Sequence, residues 1–98
     1  MQAKLDDSVF EAVAPVLRVL GHPDRLGIVE ILSRRQVTVT EVARAVGLAP
    51  SAVSQHLGTM LARGIVARRR KGRRVYYRVV HPAARSLLRC MRRNAGAL

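Results

Sequence analysis

Apolar residues recur at helical spacing near the start of the chain and predict an amphipathic helix over about residues 8–20. Pro15 lies within this stretch and removes a backbone donor, so a kink or a break is expected there. The apolar positions that share one face of this helix are Val9, Val13, Val16, Leu17 and Leu20.

Two further stretches show the same period. One predicts a helix from Pro23 to near Arg34, preceded by His22 as its cap. The other predicts a helix over about residues 82–93, with fraying expected from Asn94 onward. Its apolar face consists of Ala84, Leu87, Leu88 and Met91, and its other face of Arg85, Arg89, Arg92 and Arg93.

Two short helices are predicted in the middle of the chain. Thr38 and Glu41 have the spacing of a capping box, which begins the first of them. Gly47 suits the tight turn that ends it, and Pro50 begins the next helix. Two such helices joined by a short turn with glycine are typical of a helix-turn-helix, here over about residues 38–63.

The second helix of this motif has a polar side. Its predicted buried positions are Val53, Leu57, Met60 and Leu61. In a helix-turn-helix the exposed face of the second helix contacts base edges in the major groove, for which hydroxyls and amides are suitable. An ordinary solvent-exposed face is the alternative interpretation. The candidate base-reading residues are Ser51, Ser54, Gln55, His56 and Thr59.

Two stretches rich in β-forming residues follow, over about residues 65–70 and 73–80, with Lys71-Gly72 as a tight turn between them. The cations at this hairpin tip favour contact with the DNA backbone or minor groove. A solvated charge run that protects an edge strand is the alternative. The cations are Arg68, Arg69, Arg70, Lys71, Arg73 and Arg74. A helix-turn-helix followed by a basic hairpin is a winged helix, so we predict one mainly α-helical domain of five helices and two antiparallel strands.

The distribution of charge supports a polyanionic partner. All six acidic residues lie in the first 41 positions, whereas the remaining 57 carry 13 Lys or Arg. A basic last helix without Trp or Phe anchors makes a membrane surface the weaker alternative. No nucleophile–base set, carboxylate pair or phosphate loop suggests an enzyme. Residues 1–7 lack the apolar core of a signal peptide and Cys90 is the only cysteine, so a cytoplasmic location is expected.

The segments 20–26, 47–57 and 72–78 resemble the ArsR/SmtB family of bacterial repressors, and the resemblance extends over nearly the whole chain. It implies a homodimer formed through the first and last helices, an inverted-repeat operator in double-stranded DNA, and repression relieved by an inducer. Thr40, near the start of the first helix of the motif, is expected at the DNA backbone. The expected dimer contacts are Val9, Val13, Val16, Leu17, Leu87, Leu88 and Met91.

Metal sites that the resemblance implies lack their ligands here. Family members place cysteines at the start of the third helix, where this chain has Thr38 and Thr40. A second family site lies on the last helix, where only His81 remains, and we interpret His81 as the residue that begins this helix. We therefore expect no metal and no cofactor.

The sequence allows several candidates for the signal that such a repressor would sense. A third family group uses one cysteine on the second helix, where Glu30 stands, and one near the C-terminus. Cys90 alone is expected to be a small buried apolar group rather than a reactive thiol. The alternatives are an atypical metal or redox site at Cys90 or at Asp6, Asp7, Glu11 and His22, or a non-specific architectural nucleic-acid-binding protein.

Overall fold

The computed structural model describes residues 4–98, so the first three positions of the N-terminal segment 1–7 lie outside the described residues. Five α-helices and one two-stranded sheet follow one another along residues 4–98, as the sequence pattern predicts, and a 3₁₀ helix that it does not predict follows the fifth α-helix. They are α1 (Asp7–Leu20), α2 (Pro23–Arg34), α3 (Val39–Val46), α4 (Pro50–Ala62), β1 (Val66–Lys71), β2 (Arg74–Val79), α5 (Pro82–Asn94) and the 3₁₀ helix (Ala95–Ala97).

Helix α1 passes through Pro15 without a break, so the expected break, one of the two outcomes predicted for this proline, does not occur. Asp6 caps its first turn by accepting hydrogen bonds from the N–H groups of Ser8 and Val9. Val16 and Leu20, on the C-terminal side of the proline, are buried in the core. Capping at one end and burial at the other hold the helix together although Pro15 supplies no donor.

Helix α2 lies at the centre of the domain, and it contacts α1, α3, β2 and α5. Apolar side chains from every helix and both strands meet around it. The buried core comprises Val16, Leu20, Ile28, Val29, Leu32, Val37, Val42, Ala43, Val53, Leu57, Met60, Ile65, Val66, Val79, Ala84 and Leu88.

The hairpin is antiparallel, with Val66 opposite Val79 and Lys71 opposite Arg74. Its turn is therefore formed by Gly72 and Arg73, one position later than the sequence predicts. Gly72 has a φ of 64° and Arg73 does not have a positive φ, which fits a turn that requires glycine at its first central position. A bridge between Val37 and Tyr77 also joins β2 to the segment before α3.

Two histidines begin helices, as predicted. The Nδ1 atom of His22 accepts from the N–H of Asp24 at 3.1 Å, and Nδ1 of His81 accepts from the N–H of Ala83 at 3.1 Å. The end of the chain, where fraying was expected, continues α5 through Asn94 and then forms the 3₁₀ turn. Within residues 4–98, none of the helices combines the length and the apolar character needed to span a bilayer.

Candidate nucleic-acid interface

The geometry of the helix-turn-helix begins at the N-terminus of α3. The Thr38 hydroxyl accepts from the N–H of Glu41 at 3.3 Å, and Oε1 of Glu41 accepts from the N–H of Thr38 at 3.3 Å. This confirms the capping box. The hydrogen bonds from Thr38 hold the pKa of the Glu41 carboxyl below its ordinary value. Glu41 therefore stays ionised, and able to accept from the N–H of Thr38, at pH values above its lowered pKa.

The turn between the two helices requires glycine. Gly47 ends α3 in the left-handed region at a φ of 72°, and its N–H donates to the carbonyl of Ala43 at 2.9 Å. A Cβ at this position would meet no atom within 4 Å. The backbone conformation, rather than lack of space, is therefore the reason for glycine here. This left-handed turn leads the chain into α4, which begins at Pro50.

Helix α4 separates an apolar side from a polar side. Val53, Leu57 and Met60 are buried in the core. The Thr59 hydroxyl donates to the carbonyl of Gln55 at 3.2 Å, which orders this hydroxyl on the helix surface. Four of the five predicted base-reading side chains are exposed: Ser51, Ser54, Gln55 and Thr59.

The fifth candidate, His56, does not share that exposed face. Only 15% of its side chain is exposed, and its Nδ1 accepts from Nε of Arg25 on α2 at 3.1 Å. Its ring also lies edge-on to that of His22, with centroids 4.8 Å apart. The sequence-based assignment of His56 to the DNA-facing set is therefore revised, because one helical step turns this side chain from the polar face toward α2.

The hairpin, here called the wing (residues 66–79), carries cations on both faces. Side chains alternate along a strand, and Val66 and Val79 direct one face to the core. Arg69 and Lys71 therefore project from the opposite face of β1. All six predicted wing cations are exposed: Arg68, Arg69, Arg70, Lys71, Arg73 and Arg74.

The wing cations have no acidic partners among the described residues. Every ion pair within residues 4–98 uses Asp24, Glu30 or Glu41, and none includes a wing cation. The wing cations repel one another, and apart from the attraction between Arg74 and the nearby Glu41 carboxylate this repulsion is relieved by counterions or by an external polyanion. The absence of ion-pair partners among residues 4–98 favours contact with DNA over mere protection of an edge strand. Protection of an edge strand does not require six cations at one hairpin tip.

A groove of about 480 Å³ joins the wing to the start of α3. The predicted backbone-contacting Thr40 lies in this groove together with Arg73 and Arg74. Glu41 also lines it and lies 3.8 Å from Arg35, so part of its charge is neutralised. The structure thus brings together Thr40 and two wing cations, which are distant in sequence.

Helices α1 and α5 present an apolar surface outside the core. Leu17 and Phe10 of α1 are 48% and 54% exposed, respectively. Val16 and Leu88, which the sequence analysis placed at the dimer contact, are instead buried within the protomer. Phe10 was not among the predicted contacts, although its spacing from Val13 and Leu17 places it on the same side of α1. The other predicted contacts, Val9, Val13, Leu87 and Met91, are half-buried.

One group of possible metal ligands occurs among the described residues: His22, Asp24 and His56, with ligand atoms within 4.8 Å of one another. The chemistry does not fit a metal. Both Nδ1 atoms accept N–H hydrogen bonds, so each neutral ring carries its proton on Nε2. A histidine that ligates through Nε2 instead donates from Nδ1.

The other sensing candidates are not assembled into a site. The proposed set of Asp6, Asp7, Glu11 and His22 does not form a ligand cluster within residues 4–98. Cys90 is exposed, so the expectation that it is buried is wrong. Asn94 lies beside it, with Nδ2 at 3.7 Å from Sγ.

The fold and the site together define a winged helix-turn-helix DNA-binding protein. Residues 22–68 match the model of a family described as bacterial regulatory protein, arsR family. The transcriptional repressor PagR of Bacillus anthracis is 30% identical over 89 residues, which cover 90% of this chain and 89% of PagR. The regulator YgaV of Escherichia coli is 34% identical, over 88% of this chain and 87% of YgaV.

Solved structures agree with these sequence matches. The crystal structure of PagR has a TM-score of 0.80 at 30% identity, covering 88% of this chain and 99% of PagR. A homodimeric winged helix-turn-helix domain from Mycobacterium bovis has a TM-score of 0.77 at 28% identity, covering 98% and 91%. The chain belongs to the arsR family of bacterial regulatory proteins, and this confirms the resemblance and the fold predicted from the sequence.

Proposed function

We propose that this protein is a homodimeric transcriptional repressor that recognises an inverted-repeat operator in double-stranded DNA. In each protomer, α4 enters the major groove and the wing contacts the flanking backbone or minor groove. The observation that carries the proposal is the exposed polar face of α4 followed in sequence by a wing whose cations form no ion pair with any acidic residue within residues 4–98.

Base reading is assigned to Ser51, Ser54, Gln55 and Thr59, and backbone contact to Thr40 and the six wing cations. The amide of Gln55 is suited to bidentate contact with adenine, while hydroxyls donate to or accept from several bases. Guanidinium groups neutralise phosphates without reading sequence. Substitutions on α4 should therefore change the sequence preference of binding, whereas substitutions in the wing should change its overall strength and salt dependence.

The dimer is supported by the exposed apolar surface of α1 and by the relatives. The M. bovis neighbour is a homodimer, and PagR of B. anthracis and the biofilm growth-associated repressor of Xylella fastidiosa are named as repressors. Two helix-turn-helix units in a two-fold dimer contact half-sites about 10 bp apart or a multiple of that spacing. Because chromosomal DNA lies in the bacterial cytoplasm, the protein is placed there.

The direct test is selection of binding sites from a pool of random duplexes by the purified protein, followed by footprinting of the enriched sequence. The expected result is an inverted repeat protected over two successive turns. Enrichment of no motif would instead indicate a non-specific architectural protein. A reporter gene placed downstream of the selected site should lose expression when the protein is present, and increased expression would contradict repression.

A further inference from the structure

The guanidinium of Arg25 lies between three helices and bonds to two of them. From the first turns of α2, its Nε donates to Nδ1 of His56 on α4 at 3.1 Å. Its Nη1 donates to the carbonyl of Val19 on α1 at 3.1 Å. Both hydrogen bonds are partly buried. Arg25 therefore connects the end of α1 to the middle of the proposed reading helix.

The contact with α1 is favourable for a general reason. The carbonyl of Val19 is in the last turn of α1, where helical carbonyls lack intrahelical donors. The negative end of the helix dipole also favours a cation at this position. Arg25 thus satisfies an acceptor that would otherwise need water, and this fixes the guanidinium for its second bond.

We propose that Arg25, acting through His56, is a positioning residue for DNA recognition that sets the rotation of α4 relative to α1. The proposal rests on the function proposed above, in which α4 reads bases and α1 contributes to the dimer. Arg25 itself need not touch DNA. Its effect on binding comes from the direction in which the polar face of α4 points.

Because His56 lies among the proposed base-reading residues of α4, a rotation of the helix at His56 moves those side chains. His56 is the residue next to Gln55, so a movement of its anchored ring turns the reading side chains with it. Side-chain atoms lie about 5–6 Å from the helix axis, so a rotation of about 10° displaces them by about 1 Å. Such a displacement exceeds the range over which a base-edge hydrogen bond keeps good geometry.

The hydrogen bond also makes the arrangement sensitive to acid. Arginine has no acceptor, so His56 must accept through Nδ1 and stay neutral. Protonation would direct an N–H at the guanidinium and place two cations together. The charged and titratable groups facing the His56 ring are Arg25, His22 and Asp24, with Asp24 Oδ2 at 3.9 Å from Nε2.

The environment of the ring holds it neutral over the physiological range. Burial, followed by the nearby Arg25 and His22, holds the pKa of His56 below its ordinary value, and the Asp24 carboxylate opposes them only in part. Operator affinity is therefore maintained above the ordinary histidine pKa of about 6.5 and lost as the pH falls through the lowered pKa of His56. Protonation elsewhere adds positive charge and strengthens DNA binding, so a decrease toward acid is diagnostic.

Two substitutions of His56 distinguish the role of its Nδ1 acceptor from that of the imidazole ring as a whole. In His56→Asn the side-chain Oδ1 can accept near the place of Nδ1, whereas in His56→Gln the amide lies near the place of Nε2 and leaves no acceptor at the place of Nδ1. We expect His56→Asn to bind the selected operator nearly as wild type does at pH about 7.5 and to lose the acid decrease. We expect His56→Gln to bind the operator about tenfold more weakly, with a smaller loss on random duplex.

Arg25→Met removes both donors and keeps an apolar stem, and Arg18→Met is the matched loss of one exposed cation from α1. Anisotropy titrations with operator and with random duplex should show a loss of discrimination for Arg25→Met alone. Equal losses for both variants, or equal losses on both DNAs, would overturn the proposal. If Arg25→Met fails to fold, the comparison of wild type and His56→Asn across pH decides, since identical pH profiles would also overturn it.

Failure of the proposed function has a different outcome. In that case the wild-type protein binds operator and random duplex alike, before any variant is compared. Discrimination by wild type combined with unchanged discrimination in His56→Gln would contradict only the positioning role.

Discussion

The Glu30 carboxylate on α2 lies 2.6 Å from Nη2 of Arg92 on α5, a contact between residues 62 positions apart. Arg34 pairs with the same carboxylate from the next turn of α2, and Ser33 accepts from Arg92. The hydrogen bond from Arg92, followed by the charges of Arg34 and Arg92, holds the pKa of Glu30 below its ordinary value. This ion pair therefore adds a polar contact to the apolar packing of α5 against α2.

Removal of this charge should lower stability modestly. The Glu30 side chain is 27% exposed and that of Arg92 48%, so solvent screening limits the effect of Glu30→Gln to about 0.5–1 kcal/mol of unfolding free energy. Urea unfolding at a fixed protein concentration measures it. Because the pKa of Glu30 is lowered by folding, the stabilisation is present above the unfolded value near 4.5 and is lost as the pH falls through the folded value.

The difference between wild type and Glu30→Gln should therefore shrink as the solution becomes acidic. Glu11→Gln serves as a control, since Glu11 is exposed and forms no ion pair among the described residues. A difference for Glu30→Gln that persists unchanged at pH values below the lowered pKa of Glu30 would show that the carboxylate charge is not its cause.

The polar face of α4 should control sequence preference. Gln55→Ala should weaken operator binding by about 1–3 kcal/mol and relax preference at particular bases, because a bidentate contact to a base is lost. Ser54→Ala should act in the same direction. Titrations against single-base operator variants measure both effects. Equal losses on operator and random duplex for Gln55→Ala would refute its reading role.

The wing should control the salt dependence of binding. If each protomer contacts about five phosphates, the logarithm of affinity should fall against the logarithm of salt concentration with a slope of about −9. Arg69→Ala combined with Arg73→Ala should reduce this slope by about 4 per dimer and leave sequence preference nearly unchanged. Titrations at several salt concentrations measure the slope, and an unchanged slope would place the wing away from phosphates.

The exposed apolar surface of α1 should control assembly. Leu17→Glu should raise the dimer dissociation constant at least about tenfold, because an unpaired charge would be buried at the contact. The protomer itself should stay folded, since Leu17 is 48% exposed in it. Arg18→Gln changes the net charge by the same amount and serves as the control in analytical ultracentrifugation. Dimers of unchanged strength for Leu17→Glu would locate the contact elsewhere.

Local signals in the sequence were sufficient for most of the elements. The Thr38–Glu41 box, the turn at Gly47 and the caps at His22 and His81 involve residues within a few positions of one another, so residue type and spacing specify them. The wing turn was misplaced by one residue because both registers satisfy the β-forming pattern. In the observed register Gly72 is the first central residue of the turn, where its positive φ is required.

Contacts between distant residues could not be inferred in this way. Val16 and Leu88 lie on the same apolar helix faces as residues that remain outside the core. Only the packing of α1 and α5 on α2 buries these two side chains. His56 shows the same limitation. Its polarity suits either face of α4, and the partner that turns it inward, Arg25, lies 31 positions away.

The amino-acid sequence alone determined the order of helices and strands, the concentration of cations in the wing and the polar side of α4, because periodicity, capping and charge are properties of neighbouring residues. Tertiary structure alone decided which apolar residues are buried in the core, and it decided the partners of His56 and Glu30. The physical reason is that burial and hydrogen bonding depend on which surfaces meet across the domain, and side chains of similar character have no local signal that distinguishes the two outcomes.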